Sequence, residues 1–255
     1  MTSTVTGPRT SPDTTEQLLD SRPLGRVLVT GAASGLGRAV AGAVAAAGGT
    51  PLLLDRVDPR DGAGEALGNA PTAVVDLTDG RAAEDAVADL AARVGGLDAV
   101  VTAAGTDACG RMEDIPGADW DRVVQVNLLG TAAVIRGALP ALRESRGRIV
   151  TVASTLGFRA LSDASAYCAS KFGVVGMSRA LMAELAGQVG VTMLVPGGMD
   201  TAFFDGRTEQ YRPGPDAVLN DPRRVAATVL FALTRPEGCE VRELVVTPSV
   251  EPSWP

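Results

Sequence analysis

The chain of 255 residues has no histidine. That excludes histidine triads, imidazole-ligated metal sites and histidine general bases, leaving carboxylates, tyrosine and lysine for proton transfer. No metal is expected. Lysine is almost missing as well: of 23 basic side chains, 22 are arginine and one is Lys171. Tyrosine occurs twice, as Tyr167 and Tyr211. The three cysteines, Cys109, Cys168 and Cys239, are odd in number and far apart, which suits neither a disulfide framework nor a zinc site, and a reducing cytoplasm is the expected setting. No uninterrupted apolar run approaches the roughly 18 residues that a bilayer span requires. A net charge of −7 and a pI near 4.7 argue against nucleic acid or an anionic membrane surface as the main partner.

What remains is enough for one large core. With 45% hydrophobic residues the chain reads as a single α/β domain over 25–248, flanked by tails at 1–24 and 249–255. The N-terminal tail is rich in Thr, Ser, Pro and Asp, has no helical or strand period, and lacks the basic start and apolar core of a secretory signal. From Arg26 to Thr30 an apolar run reads as a buried strand leading directly into Gly31-Ala32-Ala33-Ser34-Gly35-Leu36-Gly37. An alanine-rich helix follows to about Ala47, and a second strand from Pro51 to Leu54 closes on Asp55. Strand, glycine turn, helix, strand and terminal acid is the order of a dinucleotide-binding unit. Its glycines let the backbone approach a pyrophosphate, and the helix N-terminus offers unspent N–H groups and a positive dipole end.

The alternation continues along the chain. Strands are predicted at Thr72–Val75, Leu97–Val101, Gly147–Val152, Val191–Val195 and Glu243–Thr247, with helices at about Gly80–Val94, Asp119–Leu142, Ala164–Gln188 and Pro222–Leu233. Seven strands with helices between them predict a doubly wound parallel sheet of Rossmann type with helices on both faces. A stretch at about 199–221, with Phe203, Phe204, Arg207, Gln210, Tyr211 and Arg212 among glycines and prolines, is long for a loop in a compact domain and reads as a lid.

The chemistry-bearing stretch is Ser165-Ala166-Tyr167-Cys168-Ala169-Ser170-Lys171. Positions four apart on a helix share a face, so Tyr167 and Lys171 point the same way. An ammonium beside a phenol favours the phenolate, and Ser154, thirteen residues earlier, can hold a substrate oxygen. The alternative is a core tyrosine with a solvated lysine. Against it stands the composition: a chain that writes its cations as arginine has placed its single lysine here, where a compact ammonium fits and a planar guanidinium would not.

Taken together these residues resemble the classical short-chain dehydrogenase/reductase family over about 24–248. The resemblance rests on Thr30-Gly31-x-x-x-Gly35-x-Gly37, Asp76 after the third strand, Ala103-Ala104-Gly105 after the fourth, Asn127, Ser154, Tyr167-x-x-x-Lys171 and Pro196-Gly197-x-Met199-x-Thr201. It implies that Tyr167 exchanges a proton with the substrate oxygen, Ser154 hydrogen-bonds that oxygen, Lys171 holds the nicotinamide ribose and lowers the phenol pKa, and Asn127 anchors a water linking Lys171 to solvent. Asn127 could instead be a buried amide capping neighbouring backbone. Further implied cofactor contacts come from Gly31, Ser34, Gly35, Leu36, Gly37, Asp55, Arg56, Asp76, Leu77, Ala103, Ala104, Gly105, Pro196, Gly197, Met199 and Thr201. Asp76 is equally readable as a strand-end acid or cap together with Asp79. Ala103-Ala104-Gly105 departs from the family's commoner Asn-Asn-Ala-Gly, losing a side-chain hydrogen bond while keeping small residues under the cofactor.

The function so implied is hydride transfer between a nicotinamide cofactor and a secondary alcohol or ketone. NAD is expected over NADP, because Asp55 can accept from both ribose hydroxyls but would face a 2′-phosphate at close range, and Ser34 supplies no cation. Arg56 could turn toward a phosphate, and Asp55 could be a plain turn residue. Rival readings are a dinucleotide sensor or scaffold on the same fold, or an NAD-dependent epimerase or dehydratase. A homotetramer or homodimer is implied through the helices at Asp119–Leu142 and Ala164–Gln188, although the face along Val123, Val126, Ala133 and Ile135 could pack inside the subunit.

Overall fold

The structure is a computed structural model describing residues 21–61 and 65–254. Most of the predicted N-terminal tail lies outside the described residues. Its last residues are anchored: Arg22 donates to the carbonyls of Ser145 and Arg146, and Leu24 is buried.

Seven strands form one parallel sheet in the order β3-β2-β1-β4-β5-β6-β7. They are β1 (Arg26–Thr30), β2 (Thr50–Asp55), β3 (Thr72–Val74), β4 (Ala99–Thr102), β5 (Arg148–Val152), β6 (Gly190–Pro196) and β7 (Glu243–Val246). Alternation within the strands sends side chains to two cores. Val27, Val29, Leu53, Val101 and Val150 face α1 (Gly35–Ala46) and α7 (Pro222–Leu233), which present Val40, Val44, Val225 and Val229. On the other face, Leu28, Leu52, Val100 and Ile149 meet α3 (Gly80–Arg93) and α5 (Thr131–Ser145) through Val87, Leu90, Ile135 and Leu142. A sheet covered on both faces explains why its strands read as continuous apolar runs. Between β2 and β3 lies a short α2 (Glu65–Gly68) that has no counterpart among the sequence expectations.

Helix starts are chemically marked. Asp79 caps α3 by accepting from the N–H groups of Arg81 and Ala82, and Asp221 caps α7 ahead of Pro222. The helix expected at Asp119–Leu142 is longer and interrupted: α4 (Gly117–Val124) runs into a π-helical segment, Gln125–Gly130, and then into α5. This combined run has the length and mean hydropathy, 1.3, of a bilayer span, with half of its apolar window buried in the domain as a core helix. Val123, Ala133 and Ile135 are buried and Val126 half-buried, so the face considered for subunit pairing packs within the subunit. The large apolar side chains left exposed nearby are Leu129 and Phe172, at 56% and 46%.

Strand order reverses between β1 and β4, whose connections leave the sheet in opposite directions. A crevice opens at their carboxyl ends, where ligands bind in open parallel sheets. The contact between α3 and α5 below that crevice depends on Gly137, since a Cβ there would run into the Glu84 carbonyl and lie 3.0 Å from the Val87 Cβ. Gly137→Val is therefore expected to lower unfolding free energy by about 2–3 kcal/mol, as overpacking at a backbone contact does, measured by urea denaturation against the parent.

Candidate active site

The glycine turn after β1 is shaped by steric need. Gly31 has φ 68°, and a Cβ there would come within 2.8 Å of the Ala104 Cα, so only glycine lets the β1 and β4 loops pass this closely. Gly35 has φ 50°, and Gly37 packs its Cα face on the Gly31 carbonyl. Thr30 reinforces the junction, its Oγ1 accepting from the Ala104 N–H at 3.0 Å. Ser34 caps α1 from an exposed position without a side-chain bond, so the helix N-terminal N–H groups stay open. At the end of β2, Asp55 Oδ2 accepts from the Ala33 N–H at 2.9 Å and Oδ1 from the Arg56 N–H at 2.7 Å, while Arg56 itself is exposed. Asp76 accepts from the Thr78 N–H, and that backbone bond lowers its pKa despite partial burial. Both the turn reading and the cofactor reading of these acids describe the same atoms.

These residues form one wall of a cleft of about 1160 Å³. Lining it are Gly31, Ser34, Gly35, Leu36, Gly37, Asp55, Arg56, Asp76, Leu77, Ala103, Ala104, Gly105, Pro196, Gly197, Met199 and Thr201, together with Ser154, Tyr167 and Lys171. A glycine cradle, an open helix N-terminus and a strand-end carboxylate suit a dinucleotide.

Asn127 stands behind the cleft wall, not in it. It is 1% exposed, sits in the π-helical segment, and engages both ends of its amide: Oδ1 accepts from the Thr106 N–H at 2.8 Å, and Nδ2 donates to the Thr106 carbonyl at 2.9 Å and to Ser170 Oγ at 3.0 Å. Ser170 in turn donates to the Tyr167 carbonyl. The amide thus braces the loop after β4 against α6 (Ser165–Glu184), the helix that carries Tyr167 and Lys171.

Ser154 follows β5 and caps a single helical turn, accepting from the Leu156 N–H at 3.1 Å. Burial pushes the Tyr167 phenol pKa up to about 12, partly opposed by the Ser154 hydroxyl. Phe203 leans on the ring at 5.9 Å between centroids. Lys171 is 4% exposed and donates to the Val152 carbonyl at 2.9 Å, with Nζ 5.5 Å from the Tyr167 ring centroid. Burial lowers its pKa to about 8, partly opposed by Asp107. Burial thus governs both groups, raising the phenol and lowering the ammonium, whose Nζ is held by the Val152 carbonyl.

Three sets of contacts tie distant parts of the chain to the site. Asp107 joins the cleft and pairs with Arg207 of the lid at 2.5 Å, Asp107 accepting also from its own loop at the Ala108 N–H. Tyr211 donates to Asp163, a residue held at φ 61° just before α6. The segment after β7 folds back over the site: Glu251 accepts from the Gly198 N–H and from Ser253, Thr155 and Ser253 hydroxyls bond at 2.7 Å, and Trp254 sets its edge on Phe158. The pairing of Asp107 with a residue a hundred positions away leaves no local sequence signal. Leu156 and, from the lid, Phe203, Phe204, Arg207, Gln210, Tyr211 and Arg212 line the cleft. Met112 is exposed, Arg111 pairs with Glu113 at the surface, Arg159 donates to the Pro252 carbonyl, and Phe158 lies under Trp254.

Residues 26–212 match the family model for short chain dehydrogenases. The chain belongs to the short-chain dehydrogenase family. An uncharacterized oxidoreductase of Staphylococcus aureus strain MW2 is 33% identical over 226 residues, covering 87% of this chain and 96% of that protein. Among solved structures, the alcohol dehydrogenase of the archaeon Thermococcus sibiricus complexed with 5-hydroxy-NADP superposes with a TM-score of 0.78 at 25% identity, covering 87% of this chain and 95% of that one. A short-chain type dehydrogenase/reductase from Mycobacterium marinum gives a TM-score of 0.76 at 25% identity over 88% and 94%. As an oxidoreductase of this family the chain is an NAD(P)-dependent enzyme with a nucleotide-binding Rossmann-type fold.

The titrations of Lys171 and Tyr167 set a stability signature. Between about pH 8 and 10 the unfolded chain keeps the lysine proton that the folded chain releases, so unfolding takes up a proton and stability rises with pH. From about pH 10 to 12 the unfolded tyrosine ionises while the folded phenol does not, and stability falls. Lys171→Met removes the first effect. In urea denaturation the advantage of Lys171→Met over the parent is expected to shrink by about 1–2 kcal/mol between pH 7.5 and pH 9.5.

Proposed function

We propose that this family member transfers hydride between NAD and a secondary alcohol or ketone, with Tyr167 as the general acid and base. The observation that carries the reading is the convergence of Ser154, Tyr167 and a buried Lys171, its Nζ 5.5 Å from the Tyr167 ring centroid, in the cleft that the glycine turn opens. Gly31, Ser34, Gly35, Leu36 and Gly37 would receive the pyrophosphate, Asp55 and Arg56 the adenosine ribose, Asp76, Leu77, Ala103, Ala104 and Gly105 the adenine side and its floor, and Pro196, Gly197, Met199 and Thr201 the nicotinamide end. The cofactor, when bound, supplies or accepts the hydride. In the reductive direction Ser154 donates to the ketone oxygen, and Tyr167 gives it the phenolic proton as the carbon becomes tetrahedral. In the oxidative direction the same two groups receive the alcohol, and Tyr167 takes its proton. Lys171 would hold the nicotinamide ribose, and its positive charge beside the ring would stabilise the phenolate left after proton donation. Asn127 braces the helix that positions both residues.

NAD is favoured by a carboxylate at Asp55 fixed toward the glycine turn by Ala33, with no cation at Ser34. A 2′-phosphate there would meet a full negative charge. Pairing into a homodimer or homotetramer, which the family resemblance implies, has its exposed apolar side chains at Leu129 and Phe172. Three free cysteines suit a reducing cytoplasm.

Tyr167→Phe keeps the ring but removes the proton, and is expected to bind NADH normally, by fluorescence titration, while turnover of ketones falls about a thousandfold or more. Activity near that of the parent would remove Tyr167 from its role. The parent's kcat/KM should favour NAD over NADP by about a hundredfold, and Asp55→Ser should move that ratio at least about tenfold toward NADP. A parent that prefers NADP would show that Asp55 is not the selector.

A further inference from the structure

From the ion pair between Asp107 and Arg207 we infer that the substrate carries a second, neutral hydroxyl group near its reacting carbon, an inference that rests on the oxidoreductase reading above. Both charges line the cleft that holds Tyr167. Asp107 comes from the loop after β4 and is 6% exposed at its side chain; Arg207 comes from the lid and is 19% exposed. Arg207 is fixed over Phe204 at 4.7 Å and Phe203 at 5.2 Å, and Phe203 in turn contacts the Tyr167 ring. The pair is thus a rigid polar patch one aromatic layer from the proton-transfer group.

Its hydrogen-bonding capacity is only partly spent. Arg207 donates from Nη1 to the Tyr211 carbonyl and from Nη2 to Asp107, and its buried Nε has no partner among the described residues. A guanidinium has five N–H groups, so donors remain. Asp107 accepts from Ala108, Cys109 and Arg207, one fewer than its two oxygens can take. What fits beside one spare acceptor and spare donors is a group that both gives and takes a hydrogen bond, and a hydroxyl is the simplest. A carboxylate would gain from Arg207 but would leave Asp107 buried against a like charge, which is costly. An unsubstituted hydrocarbon would bury polar groups with nothing in return. Leu156, Phe203 and Phe204 share the lining and offer apolar contact to the substrate's carbon frame.

The test is kcat/KM for matched substrates with NADH and NADPH: butanone against hydroxybutanone, cyclohexanone against hydroxycyclohexanone, and pyruvate as the acid. The parent is expected to favour the hydroxylated member of each pair by about thirtyfold or more, the range for a hydrogen bond to a charged group, and to use pyruvate less well than hydroxybutanone. Asp107→Asn and Arg207→Gln should each bring the ratio within about threefold of unity. If the pair were only a latch for the lid, the variants would slow all substrates alike and leave the ratio standing, which overturns the inference. A parent that turns over plain ketones as well as hydroxylated ones, or prefers pyruvate, overturns it while the hydride-transfer reading stands. No turnover of any panel member with either cofactor would count against that reading itself, and this inference would fall with it.

Discussion

The amide of Asn127 is the contact on which the site depends. It lies out of reach of solvent and joins three pieces of chain that are distant in sequence: the π-helical segment it belongs to, the backbone of Thr106 and the hydroxyl of Ser170. Each bond satisfies a group that would otherwise be buried without a partner, so the three elements hold one relative position. Because Ser170 passes the connection to the Tyr167 carbonyl, the register of α6 and hence the place of the phenol are set from behind the cleft. The π-helical stretch is part of the same constraint. It widens the helix where Gly130 meets Leu77, whose Cβ would lie 2.7 Å from any side chain there, and Thr131 Oγ1 takes up the Asn127 carbonyl.

Above this scaffold, charge is distributed in an unusual way for a chain with so many arginines. Its guanidinium groups work mainly at the surface, as in Arg81 with Glu84 or Arg122 with Asp119, where an ion pair contributes little. Inside the cleft stand Lys171, Asp107 and Arg207. Asp107 favours the charged lysine and disfavours a charged phenolate, while Arg207 favours the phenolate. Asp107 thus opposes the effect of burial at Lys171 and adds to it at Tyr167, where Arg207 works against it.

What could be read in advance was what repeats locally. Apolar runs at Arg26–Thr30 and Val191–Val195 lie in the buried strands β1 and β6, and Gly31 could be placed because a tight strand-to-helix turn leaves few other residues able to follow it. Tyr167 and Lys171 were legible for the same reason, since a spacing of four is a property of one helix. The parts that escaped notice are those made by distant chain. Nothing near Asp107 indicates Arg207, a hundred residues on, and nothing in a short proline-containing terminus indicates that Glu251 will accept from Gly198 or that Trp254 will cover Phe158. Asn127 falls between these cases. Its cost inside an apolar helix marked it as needing a partner, but the partners are backbone and hydroxyl groups, which leave no pattern to search for.

The single lysine can now be explained by space as well as by composition. Lys171 reaches its partner at Val152 through a closely lined passage beside Gly105, where a Cβ on that glycine would sit at ordinary contact distance, 3.9 Å from Nζ and 3.5 Å from Asn127 Oδ1. A guanidinium is wider, carries five donors that each need an acceptor when buried, and does not lose its proton. In that passage it would find the Val152 carbonyl and little else, so several N–H groups would be left unpaired in a site with almost no water access. An ammonium needs fewer acceptors and can shed its charge when desolvation demands it, as its lowered pKa indicates. The position therefore tolerates the one cation that the rest of the chain avoids, and the rarity of lysine elsewhere makes that steric and electrostatic selection visible.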